Sequence, residues 1–87
     1  MDYEIGETYP GLEQSDYDAF SALSPDIANW LRENTTAISI GGSTYYVFTT
    51  DDTFELFTLL NEIGEDPEDQ IDYFVYLKST WAVGNLN

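Results

Sequence analysis

The sequence predicts a single small α+β domain spanning residues 1–87: a β-hairpin over about 37–50, packed with three to four short helices. Three observations predict it. Apolar residues recur at helical spacing in several short segments. Two strand-like runs flank a glycine pair. And 7 Tyr, 5 Phe and 2 Trp give an 87-residue chain enough ring surface to build a core.

Residues 1–14 are polar, with Tyr3, Ile5, Tyr9 and Leu12 as scattered apolar points. Pro10-Gly11 reads as a turn, so an irregular start is expected. Ser15 and Asp18 form a weak capping box for a first helix over about 16–23, with Phe20 and Leu23 on one face. Ser24-Pro25 then opens a second helix over about 25–33. The serine hydroxyl caps it, and proline suits the first helical position, where its missing N–H has no partner to lose. Ile27, Trp30 and Leu31 make its apolar stripe, and Asn34-Thr35-Thr36 ends it.

Ala37–Ile40 and Thr44–Thr50 read as strands joined by Gly41-Gly42-Ser43, where glycine supplies the positive φ of a tight hairpin. Asp51-Asp52 is expected to cap a third helix over about 53–63. Phe54, Phe57, Leu60 and Ile63 form its stripe, and Gly64 closes it. Glu65-Asp66-Pro67-Glu68-Asp69 has the composition of a helix start, so a fourth helix is expected over 67–78. The run Tyr73–Leu77 is rich in strand formers, which keeps a third strand over 73–77 as the alternative. Trp81, Val83 and Leu86 are expected to pack back as an extended tail.

Seventeen acidic side chains stand against two basic ones, Arg32 and Lys78, giving a net charge of -15. A small domain usually mixes both signs, because like charges repel and destabilise the compact state. The missing counter-charge must come from concentrated salt or from a basic macromolecular surface. Histidine and cysteine are absent, which removes the commonest catalytic and thiolate chemistry. No catalytic residue, cofactor or bound metal is expected. The Glu65–Asp72 run lacks the alternating order of a calcium loop. No apolar run approaches the length of a membrane span, and the acidic N-terminus is unlike a signal peptide. A cytoplasmic location follows as the expectation. The charge argues against direct contact with nucleic acid or anionic membrane.

The carboxylates fall into three groups. Asp2, Glu4, Glu7, Glu13, Asp16 and Asp18 occupy the first, and Asp51, Asp52 and Glu55 the second. Glu62, Glu65, Asp66, Glu68, Asp69 and Asp72 form the third. Duplex DNA carries one charge per ~1.7 Å, so this chain's charge matches about 25 Å of duplex. Acids that simply fill a solvent face are the plainer reading. The scarcity of Lys and Arg weighs against it.

In small size, dense acids such as Glu65-Asp66-Pro67-Glu68-Asp69, few cations and many aromatics, the chain resembles the DNA-mimic inhibitors of phages and mobile elements. These include anti-restriction proteins, uracil-glycosylase inhibitors and some anti-CRISPR proteins. The resemblance is compositional and extends loosely over the whole chain. It implies a partner that is a basic nucleic-acid-binding protein, a CRISPR effector or restriction enzyme foremost, met in the cytoplasm of an infected host cell. The contact residues it suggests are Glu62, Glu65, Asp66, Glu68, Asp69 and Asp72, then Asp51, Asp52, Glu55, Asp16 and Asp18, with Tyr45, Tyr73 and Tyr76 as aromatic anchors. An immunity-type or antitoxin-type module, or an ordinary domain from a salt-loving organism, would show similar charge. Monomer and homodimer are both compatible with the sequence.

Overall fold

The computed structural model describes residues 3–78 and 80–83. Its elements in order are β1 (Thr8–Glu13), α1 (Gln14–Ser21), α2 (Pro25–Asn34), β2 (Thr36–Ile40), β3 (Ser43–Val47), α3 (Thr50–Asn61), a single 3-10 turn (Glu68–Gln70), β4 (Asp72–Leu77) and β5 (Thr80–Val83). The strands form one sheet in the order β2-β3-β1-β4-β5, and every neighbouring pair is antiparallel. The sheet curls until its edge strands β2 and β5 approach each other, making a nearly closed barrel.

This overturns the expected hairpin packed with three to four helices. The hairpin β2–β3 is one part of a five-stranded sheet, and there is no helix over 67–78. The acidic start signal around Pro67 produces only the 3-10 turn. The β-branched and aromatic residues after it pair with β1 on one side and β5 on the other. Paired on both sides, such side chains are better accommodated by a pleated surface than by a fourth helix. Thr80–Val83 is likewise a strand, not a docked tail. Leu86, assigned to the same tail, lies outside the described residues, as does Asp2.

Residues 8–13 are also a strand, and a central one, despite Pro10. The Pro10 carbonyl accepts from the Phe48 amide at 3.0 Å, so this residue's polar groups face β3. β3 ends at Val47 and the chain departs toward α3. The missing proline N–H therefore faces a position where no strand continues, which is how a proline is tolerated here. Gly11 is required for a different reason. A Cβ there would lie 2.8 Å from the Phe74 ring and 2.8 Å from the Tyr46 carbonyl oxygen.

The pleat separates two cores. Ile38, Val47 and Phe74 fill the inside of the curled sheet, with Tyr3, Ile40, Tyr45 and Trp81 packed around them. On the outside the helices bury Phe20, Ile27, Trp30, Leu31, Leu56 and Leu60 against Leu12, Phe48 and Ile71. Each such large side chain contributes about 1.5–3 kcal/mol on leaving water.

The Ser24 hydroxyl caps α2 by accepting from the Ile27 amide at 3.2 Å. Two other caps differ from expectation. α1 starts at Gln14 behind Glu13 with no side-chain cap, so Ser15 lies inside the helix. α3 is capped by Thr49, whose hydroxyl accepts from the Asp52 amide, which leaves Asp51 and Asp52 as first-turn acids favoured by the helix dipole. α3 closes through Gly64 at φ 80, with the Glu65 amide donating to the Leu60 carbonyl at 2.9 Å.

Candidate functional site

β1 leaves the sheet at Glu13 and runs straight into α1. β4 enters the sheet at Asp72, which pairs with Gly11. Because β1 and β4 are antiparallel, the run that precedes Asp72 and the run that follows Gly11 lie at the same end of the strand pair, which brings Asp16 near Asp72. Asp16, in the first turn of α1, is near enough for its charge to raise the pKa of Asp72. Partial burial of Asp72 is the larger cause of that rise, and the Asp16 charge adds to it.

Asp16 and Asp72 are half-buried, while Glu13, Asp18, Glu62, Glu65, Asp66, Glu68 and Asp69 are all exposed. Two of the exposed acids also hold local structure. Asp66 accepts from the Glu68 amide at 3.0 Å and so shapes the turn before β4. Asp18 accepts from the Gln14 side chain at 3.0 Å, and Gln14 in turn accepts from the Tyr46 hydroxyl at 2.9 Å. Tyr17 stacks on Tyr46 with ring centroids 3.8 Å apart, which fixes α1 over β3. An open depression of about 370 Å³ lies where the start of α1 meets β3, lined by Glu13, Gln14, Ser15, Ser43, Thr44 and Tyr45.

The Asp51, Asp52 and Glu55 group stands apart. α3 is 12 residues and about 18 Å long, with Asp51 and Asp52 in its first turn and Glu62 at its C-terminal cap. Glu55 accepts from the Trp30 indole N–H at 2.8 Å and ties α3 to α2. Asp52 lies near Tyr3. Burial raises that phenol's pKa above 10.0, its hydrogen bond to Thr36 opposes the rise, and the Asp52 charge adds to it. Asp16 of the first sequence group thus lies near Asp72 of the third, Glu4 and Glu7 lie beyond the other end of β1, and Asp51 and Asp52 stand at the far end of α3.

The aromatic residues divide as well. Tyr45 packs on Phe74 at 4.9 Å and Tyr76 on Trp81 at 5.0 Å, both half-buried within the curled sheet. Tyr73 alone of the three is exposed, on the outer side of β4. Phe54, expected in the apolar stripe of α3 with Phe57, Leu60 and Ile63, is instead 69% exposed. α3 buries Leu56 and Leu60 and half-buries Phe57 and Leu59, which turns Phe54 and Ile63 away from the core. The i, i+4 spacing of Leu56 and Leu60 was the available signal for that phase.

Of the two cations, Lys78 follows the C-terminal end of β4, at the opposite end of the strand from Asp72. Arg32 is in the last turn of α2, where it donates to the Asn29 side chain. Among the described residues no group of three or more acidic side chains is arranged to hold a metal ion. No helix among them is long and apolar enough to cross a membrane. No family model, curated protein or solved structure matches the chain.

Proposed function

We propose that this protein is an inhibitor that imitates nucleic acid and occupies the basic groove of a nucleic-acid-binding protein. A CRISPR effector or a restriction enzyme is the favoured target. It acts by binding, not by catalysis, and without a cofactor, in the cytoplasm of the cell that contains the target. The observation that carries this reading is the meeting of two acidic runs around Asp16 and Asp72. Exposed carboxylates flank both members of that pair along the chain, and only two cations are present to neutralise them. Such a surface speeds encounter with a basic groove and competes for the Lys and Arg side chains that hold phosphates. The longest extent of the protein, 36 Å, exceeds the ~25 Å of duplex that its charge matches.

The test is competition. The purified protein is mixed with CRISPR effectors, restriction enzymes and repair glycosylases at about 0.15 M salt, where exposed charges more than ~8 Å apart are screened. DNA binding by each enzyme is then measured. Loss of DNA binding by one enzyme, relieved when Glu65, Asp66, Glu68 and Asp69 are changed to Lys, supports the proposal. Undiminished DNA binding across the whole panel sinks it.

A further inference from the structure

We infer that the outer face of β4 is a docking strip for an arginine-bearing segment of a basic partner, with Tyr73 as the platform on which a guanidinium stacks. The inference rests on the reading of the protein as a binder of basic grooves and specifies where and how such a partner is held.

Residues directly opposite each other in the ladder share a face, so Tyr73, Val75 and Leu77 line one side of β4 and Asp72, Phe74 and Tyr76 the other. The second set faces the inner core. The first set belongs to neither core: Tyr73 is 42% exposed, Leu77 44%, and Val75 is half-buried between Thr8 and Ala82 on the flanking strands. Tyr73 and Leu77 are about 13 Å apart along the strand. The result is a strip of ring and aliphatic surface left open on a domain that covers every other ring except Phe54 at least in part.

Charge complementarity identifies the occupant. The strip begins just after an acidic turn: the exposed Glu68 and Asp69 lie upstream of Tyr73, while Asp72 turns to the opposite face of β4. A neutral apolar partner would gain nothing from that neighbourhood, and an acidic one would be repelled. An arginine satisfies both parts of the surface. Its planar, weakly hydrated guanidinium stacks on a tyrosine face while its donors reach carboxylates, and its aliphatic stem lies on Val75 or Leu77. Lysine, a compact and strongly hydrated point charge, uses the carboxylates but gains less from the ring. A second copy of this chain, at a net charge of -15, is a poor occupant.

The probes are nona-arginine and nona-lysine peptides, titrated against the full chain at about 0.15 M salt. Nona-arginine is expected to bind more tightly. Tyr73→Ala should weaken nona-arginine about two- to five-fold, the range for an exposed cation–π contact, and leave nona-lysine unchanged. Tyr73→Phe, which keeps the ring, should retain most of the arginine preference. A matching thermal melt for Tyr73→Ala shows that the fold survives. Equal weakening of both peptides, or of neither, overturns the docking strip. The two proposals fail separately. If an enzyme target is inhibited equally by the parent protein and by Tyr73→Ala, mimicry stands and the strip falls. If the arginine preference depends on Tyr73 but no nucleic-acid enzyme is inhibited, the strip stands and mimicry falls.

Discussion

The carboxyl of Asp72, at the start of β4, is within reach of the charge of Asp16, in the first turn of α1. Two acids separated by most of the chain are held together by the pairing of β4 with β1. Partial burial first, and the Asp16 charge second, keep the pKa of Asp72 above the ordinary 3.8. The folded protein thus holds this proton more tightly than the unfolded chain does. The stability so contributed is complete below the unfolded value and is lost as pH rises through the folded one.

Asp72→Asn should therefore raise the melting temperature at pH 7. That gain should vanish at about pH 3, below the unfolded carboxylate value. Asp16→Asn should give a smaller gain of the same sign, because its charge is the lesser cause. Melts of the three proteins across this range check both statements. A loss of stability in Asp72→Asn at neutral pH would mean that the ionised carboxylate supports the fold.

Gly11→Ala should destabilise the protein by about 1–3 kcal/mol, the cost of forcing an extra methyl into a filled core. The added Cβ meets a ring and a backbone carbonyl, and the carbonyl cannot turn aside without disturbing the β1–β3 ladder. Urea unfolding with an unchanged m-value measures it.

Glu55→Ala and Trp30→Phe should be coupled. The 2.8 Å bond between them links α3 to α2, and a double-mutant cycle should return about 0.5–1.5 kcal/mol of interaction. A coupling of zero would reduce Glu55 to one more surface charge, available to a partner.

Lys78→Gly should stabilise the fold by about 1 kcal/mol, although it removes one of only two cations. Lys78 holds φ 56, a left-handed conformation that costs a side chain roughly that much. Its turn sets the start of β5, so the gain should appear as slower amide exchange in β4 and β5.

Local chemistry in the sequence was enough to place α2, through Ser24-Pro25 and the Ile27, Trp30, Leu31 stripe, and the glycine turn between β2 and β3. What it hid was set by pairing partners. Pro10-Gly11 is a turn signal that becomes a strand only because β3 ends beside Pro10 and Phe74 needs the space at Gly11. The acids around Pro67 mimic a helix start, yet the residues after them are claimed by β1 and β5. The same long-range pairing governs the candidate site. Grouping acids by position separated Asp16 from Asp72, and the β1–β4 register brings them together. Tyr45, Tyr73 and Tyr76 look alike in sequence, and the pleat leaves only Tyr73 free to meet a partner.

The convergence of acids on one surface is the central claim, and matched neutralisation tests it most directly. One variant carries Glu62→Gln, Glu65→Gln, Glu68→Gln and Asp69→Asn. The other removes the same charge elsewhere, through Glu4→Gln, Glu7→Gln, Asp26→Asn and Glu33→Gln. With both confirmed folded, each is titrated against the enzyme that the parent protein inhibits, and the concentration for half-maximal loss of DNA binding is measured. The account predicts a loss of about tenfold or more for the first variant, equivalent to about 1.4 kcal/mol, and little change for the second. Equal losses in the two variants would show that net charge alone does the work and would contradict the account.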